Sequence, residues 1–246
     1  ARAWSRVPMA LAPLLMVLFA VRLRLQADGL TAALGLALLV ALVGGRIIPA
    51  FLRARAGDTG RERLPLPWLA HAANLALGMA GVAHLAGFGA GTTGVFLLVA
   101  AAGQAARVGG WPLGRGLHGG QADLAALVVA WAWLPAGLAL VGLAHFPATG
   151  VFLPAALHAL TLGLMGSMLF AVMARAWMQR VPGALRLGLL PGAGFALVQL
   201  AAVLRLAMAD PGPAAVSWSA GWALASIAAA TALFRPVPRP VLSARQ

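Results

Sequence analysis

Long apolar runs separated by short polar segments dominate this chain of 246 residues. A helix needs about 20 apolar residues to cross the hydrocarbon core of a bilayer, and eight runs approach that length. The pattern therefore predicts a single transmembrane domain over residues 1–246, an all-α polytopic transmembrane helix bundle of about eight spans. The predicted spans are Pro8–Arg24, Leu30–Pro49, Pro67–Gly87, Gly89–Ala106, Ala122–Ala144, Val151–Trp177, Leu185–Leu206 and Ala214–Phe234.

Composition supports a membrane location and limits the chemistry available. Apolar residues make up 62% of the chain and charged residues only 9%, whereas soluble domains carry about 25% charged residues. The chain lacks the charged shell of a soluble protein, so its outer surface is expected to face lipid. Cysteine is absent, which removes thiolate metal sites, so His, Met or carboxylates would have to hold any metal or heme.

The net charge of +13 comes with 18 basic residues, all of them Arg. These residues stand singly or in pairs between apolar runs, which is not the basic patch of a nucleic-acid binder. With the N-terminus in the cytoplasm, the eight-span topology leaves only Arg22, Arg24 and Arg205 on the opposite side. This distribution follows the positive-inside rule. We therefore expect both termini in the cytoplasm and no nucleic-acid partner.

Three histidines are predicted to lie at similar depth in one leaflet. His84 is near the outer end of the third span, His145 closes the fifth, and His158 lies roughly two turns inside the sixth. Imidazoles at similar depth on three helices can hold a heme axially or bind copper. The alternative is that His84 and His145 are interfacial residues whose rings meet carbonyls or water.

The sixth span places two thioethers after His158. At helical spacing, Met165 and Met168 fall on the same broad face as His158. Imidazole and thioether ligands suit Cu(I), so these three residues form a candidate metal site. Methionine rows are also common as simple packing, and both interpretations stay open.

Arg46 stands in the segment GGRIIPAF at the cytoplasmic end of the second span. Its functional interpretation is an anion partner such as a heme propionate, and its alternative is a snorkelling topology anchor. Asp123 begins the fifth span, where a carboxylate is favoured by the helix dipole. No Ser/His/Asp, paired-carboxylate or Walker-type arrangement is visible, so we assign no catalytic residue and leave open whether the protein is an enzyme.

Three segments resemble the NnrS family of bacterial membrane proteins: GGRIIPAFLR (Gly44–Arg53), WAWLPAGLAL (Trp131–Leu140) and ALHALTLGLMGSMLFAVMARAW (Ala156–Trp177). Their order and separation are similar to the C-terminal two-thirds of that family, so we expect a shortened member. The resemblance implies a bacterial inner-membrane protein with heme and copper, linked to the nitric oxide response and denitrification. Among the family's expected ligands, it points to His158.

Three functions follow as hypotheses. The first is a membrane protein that binds heme b, and less strongly copper, in nitric oxide handling or respiratory electron transfer. The second is a cofactor-free accessory subunit that packs against a larger respiratory or denitrification complex, with the lipid bilayer and other membrane-protein subunits as partners. The third is a transporter, which the near absence of acidic residues disfavours.

Overall fold

The computed structural model describes residues 28–57, 67–118, 121–181 and 184–233. The α-helices in these ranges are α1 Gly29–Arg55, α2 Pro67–Ala86, α3 Ala90–Val108, α4 Leu113–Gly116, α5 Ala122–Ala144, α6 Leu153–His158, α7 Ser167–Trp177, α8 Leu189–Ala207 and α9 Gly212–Leu233. A π-helix at Ala159–Gly166 joins α6 to α7, and a 3-10 turn at Pro147–Thr149 precedes α6. The strands β1 (Gln179–Val181) and β2 (Ala184–Arg186) pair antiparallel.

The predicted all-α, polytopic transmembrane fold is confirmed, with one short hairpin added. Helices occupy seven of the eight predicted spans, and Pro8–Arg24 lies outside the described residues. The seventh predicted span began at Leu185, but that residue lies in β2 and α8 begins at Leu189. This later start places Pro191 in the first turn, where its missing N–H breaks no intrahelical hydrogen bond. The prediction of a single domain stays a prediction.

Six described helical segments are long and apolar enough to cross a membrane. They are Gly29–Arg55, Trp68–Ala86, Ala122–Ala144, Leu153–Arg175, Leu189–Ala207 and Gly212–Thr231. On α1, the exposed side chains include Leu36, Leu39, Val43 and Ile47, whose spacing of three or four residues places them on one face. Exposed apolar faces of this kind are compatible with lipid and not with water, so the chain is a membrane protein.

The first compact unit contains the described residues 28–47, 67–110 and 134–160. Helices α2 and α3 form an antiparallel hairpin, and Gly87 and Gly89 in its connection have φ values of 71° and 92° that favour glycine. Midway along the hairpin, a Cβ on Gly103 would come within 2.7 Å of the Ala73 Cβ. Small residues thus let α2 and α3 approach closely, as is common between membrane helices.

The second compact unit contains the described residues 48–57, 111–118, 121–133, 161–181 and 184–233. Helices α8 and α9 meet at Gly194 and Gly221, where a Cβ on either residue would lie 2.8 Å from the carbonyl oxygen of the other. The ring of Phe170 on α7 lies 5.7 Å from that of Phe195 and 5.4 Å from that of Trp222. Close glycine contacts and packed aromatic rings therefore hold α7, α8 and α9 together.

Candidate functional site

The span that contains His158 changes its hydrogen bonding immediately after that residue. His158 ends α6, and Ala159–Gly166 forms the π-helix that leads into α7. Segments of π-helix are rare and occur frequently at functional sites. His158 therefore stands at the junction between α-helical and π-helical hydrogen bonding.

Local hydrogen bonding fixes which ring nitrogen of His158 carries the proton. Its Nδ1 lies 2.5 Å from the carbonyl oxygen of Pro154, one turn earlier in α6. A carbonyl oxygen can only accept, so Nδ1 donates and the neutral ring keeps the lone pair on Nε2. His145 makes the equivalent bond from Nδ1 to the Val141 carbonyl at 2.8 Å. In the neutral form of either imidazole, the lone pair is therefore on Nε2.

His84 is engaged differently, by Asp28, the residue just before α1. Its Nε2 lies 2.5 Å from Oδ2 of Asp28, and Asp28 also caps α1 by accepting from the Leu30 N–H at 3.0 Å and the Thr31 hydroxyl at 2.6 Å. Burial raises the pKa of Asp28, but the contacts with Thr31, His84 and Leu30 outweigh it and leave the pKa below its usual value of 3.8. The imidazole therefore ties the end of α2 to the start of α1.

The three predicted histidines do not form a common metal centre. Among the described residues, no group of three or more His, Cys, Asp or Glu side chains could hold a metal ion. An axial heme ligand is a single imidazole, so the assignment of His158, His84 and His145 to heme stays a prediction.

Met165 and Met168 are both partly buried. Their predicted position on the same face as His158 requires α-helical periodicity, but the intervening residues Ala159–Gly166 form a π-helix. A π-helix bonds residue i to i+5 and turns less per residue than an α-helix. The copper site at His158, Met165 and Met168 stays a prediction, without the shared α-helical face as support.

Arg46 is exposed on α1. It lies eighteen residues after Asp28, which corresponds to about 27 Å along the helix axis. Because Asp28 contacts His84, Arg46 and His84 lie at very different depths and cannot contact one heme together. The role of Arg46 as a heme-propionate partner stays a prediction. If Arg46 has that role, a histidine other than His84 holds the iron.

Arg107 is a buried residue that the sequence pattern did not single out, because it is one of many Arg residues that the predicted topology places on the cytoplasmic side. The residue is 8% exposed, and its guanidinium nitrogens donate to the Gln104 amide oxygen at 2.7 Å, the Asn74 amide oxygen at 3.3 Å and the Gly45 carbonyl at 3.1 Å. Gln104 in turn donates to Asn74 at 2.9 Å. This polar network connects α1, α2 and α3 inside the first unit.

The contact with Gly45 follows from Pro49, four residues later on α1. Proline has no N–H, so the carbonyl that it would normally satisfy, that of Gly45, loses its intrahelical donor. Arg107 supplies the replacement. Gly45 must lack a side chain for this contact, because a Cβ there would lie 2.2 Å from the Arg107 Nη2. The proline in the motif GGRIIP therefore indicates that the Gly45 carbonyl needs a hydrogen-bond donor from elsewhere, although the motif does not identify Arg107 as that donor.

A second buried polar cluster, in the second unit, pairs Arg175 on α7 with Asp123 on α5. The Arg175 Nη1 donates to Asp123 Oδ2, and its guanidinium carbon lies 4.6 Å above the centre of the Phe51 ring. Asp123 is completely buried. From the sequence, Asp123 was expected to be favoured by the helix dipole at the start of its span, and nothing in its separation from Arg175 along the chain indicated that the two would pair.

A third polar contact lies beside the π-helix. Trp133 Nε1 donates to the Gln199 amide oxygen at 2.7 Å, and the Gln199 amide donates to the Ser167 hydroxyl at 2.6 Å. Gly163 in the π-helix packs against the Trp133 indole, with a Cβ position only 2.5 Å from that ring. Hydrogen bonds thus link α5, α7 and α8 where the span departs from α-helical form.

Comparison with known proteins gives one clear result. The model of a protein family described as NnrS protein matches residues 1–243. No curated protein matches the chain, and no solved structure does so either. The match covers almost the whole sequence and confirms the resemblance found in the motifs. This membrane protein therefore belongs to the NnrS family.

Proposed function

We propose that this NnrS-family protein binds heme b in the bacterial inner membrane through His158 and acts in nitric oxide handling or the respiratory electron transfer of denitrification. The observation that carries the proposal is the hydrogen bond from His158 Nδ1 to the Pro154 carbonyl. It leaves Nε2 as the free ligand atom and fixes the plane of the ring, as at protein metal sites. The residue is partly buried within an apolar span.

The described residues fit an axial heme ligand. A heme needs one or two side-chain ligands from the protein and an apolar pocket, and His158 with its neighbours in the span meets the first requirement without a cluster of further ligands. His145, with the same Nδ1 donation to a backbone carbonyl, and then His84 are the other residues that would help to hold the group. A bound heme iron would supply nitric oxide binding and one-electron transfer.

Copper is the weaker alternative at the same residue. A Cu(I) ion would use His158 with the thioethers of Met165 and Met168, which are soft ligands suited to that ion. In both versions the protein lies in the membrane with its two termini in the cytoplasm, in contact with lipid and packed against other membrane-protein subunits.

The test is an absorption spectrum of the protein purified in mild detergent, with metal analysis by mass spectrometry. We expect a Soret band that shifts when nitric oxide is added to the reduced protein, and about one iron atom per protein chain. His158→Ala should lose the band, whereas His118→Ala, which changes an exposed residue, should keep it. A wild-type protein with no Soret band and no metal overturns the proposal in favour of the cofactor-free accessory subunit. A full Soret band in His158→Ala refutes the assignment of the ligand.

A further inference from the structure

The N-terminus of α5 holds two buried oxygen atoms to which no described residue donates a hydrogen bond. One is Oδ1 of Asp123 and the other is Oε1 of Gln121, which precedes the helix by one residue. Asp123 is fully buried and Gln121 is 9% exposed. The other Asp123 oxygen already accepts from Arg175. Two unsatisfied acceptors therefore lie two residues apart at one helix end.

From these two atoms we infer that this helix end is a binding site for one internal water molecule, which donates a hydrogen to each oxygen. Buried acceptors are rarely left without a donor, and internal water is the usual donor when no protein group can serve. Water carries two hydrogens and no charge, and two acceptors are what it needs on its donor side. The site would complete the hydrogen bonding of the carboxyl group that holds Arg175 beside Phe51.

The neighbouring charge favours water over the other species that could satisfy these oxygens. A metal ion at Oδ1 would stand close to the Arg175 guanidinium, and like charges repel strongly inside a protein. A proton on Asp123 would satisfy Oδ1 but would leave the Arg175 charge, which is 13% exposed at its side chain, without its carboxylate partner. Water avoids both penalties.

The test is water-edited solid-state NMR of the protein in lipid bilayers, with 13C in the side-chain carboxyl carbon of aspartate. The signal of Asp123 is identified by its loss in Asp123→Asn. We expect it at the chemical shift of an ionised carboxylate and expect it to receive magnetisation from water despite the burial of the residue. The exposed Asp210 serves as the positive control for water transfer.

A second variant separates direct contact with water from relay through Arg175. Gln121→Leu removes one acceptor and leaves the Arg175 contact unchanged, so transfer from water to Asp123 should be lost while transfer to Asp210 persists. Transfer that survives in Gln121→Leu indicates relay and overturns the inference. A wild-type Asp123 signal without water transfer overturns it as well, and so does a signal at the shift of a protonated acid. None of these outcomes depends on a bound heme.

Discussion

The contact between Arg107 and the Gly45 carbonyl makes Gly45→Ala an informative change. The new methyl group would lie 2.2 Å from Nη2, 2.8 Å from Cζ and 2.9 Å from Nη1 of Arg107. The guanidinium must move away, and the Gly45 carbonyl, which Pro49 deprives of its intrahelical donor, then loses the bond of 3.1 Å. The substitution therefore tests whether Arg107 holds α1 to α3.

The magnitude follows from two opposing effects. A buried hydrogen bond with a charged donor contributes about 1.5–3 kcal/mol to stability. Alanine is about 1 kcal/mol better than glycine inside a helix. If the displaced guanidinium also loses its hydrogen bond with Gln104, the lost stability is about 3 kcal/mol, the upper end of that range. Subtracting the gain of about 1 kcal/mol from alanine leaves a net destabilisation of about 2 kcal/mol, or about thirtyfold in the unfolding equilibrium.

Gly78→Ala is the matched control, because Gly78 also lies inside a helix of the first unit and nothing lies within 4 Å of its Cβ position. The assay is unfolding in detergent, followed by the loss of helical circular dichroism with increasing denaturant. Gly78→Ala should be neutral or slightly stabilising. In an Arg107→Leu background, the cost of Gly45→Ala should fall to that of the control. Equal stability of Gly45→Ala and Gly78→Ala in the wild-type background would refute the reasoning.

Two further predictions concern charged groups. Arg175→Leu should destabilise the protein by about 3–5 kcal/mol, because it leaves the buried Asp123 carboxylate without its partner. The double variant Arg175→Leu with Asp123→Leu should recover most of that loss in the same unfolding assay. A double variant as unstable as the single variant would contradict this prediction. Because the pKa of Asp28 is lowered in the folded protein, its contribution to stability is present above the usual pKa of 3.8 and is lost as the pH falls below that value and through the depressed pKa. Asp28→Asn should remove that loss and Asp210→Asn should not; identical pH profiles for the two variants would count against the role of Asp28.

The positions of most helices could be predicted from the sequence because each span is surrounded by the same environment, the hydrocarbon of the bilayer. An apolar run of sufficient length has one stable form in a bilayer, a helix that satisfies its own backbone, and α5 accordingly has the predicted bounds Ala122–Ala144. The start of α8 was misplaced because Leu185 and Leu187 extend the apolar pattern into β2 on both sides of Arg186, and a short apolar stretch does not distinguish strand from helix.

The side-chain contacts of the candidate site were harder to predict from the sequence, because they depend on which helices are neighbours in the fold. Asp123 and Arg175 are 52 positions apart, and no local pattern joins them. The π-helix was missed since the sequence LTLGLMG is equally compatible with α-helical hydrogen bonding. The depth of His158 was predicted from chain position, but its proton on Nδ1 depends on the Pro154 carbonyl one turn away, which only coordinates reveal.

The polar residues of α3 have a consequence for how this helix is held in the bilayer. Among the described helices that match predicted spans, α3 is the one whose composition does not qualify it to cross a membrane, because Gln104 and Arg107 lower its hydropathy. Those two side chains find their partners on α1 and α2. Because charged and amide side chains are costly in hydrocarbon, we expect α3 to become more stable in the bilayer once it packs against α1 and α2, which precede it in the chain.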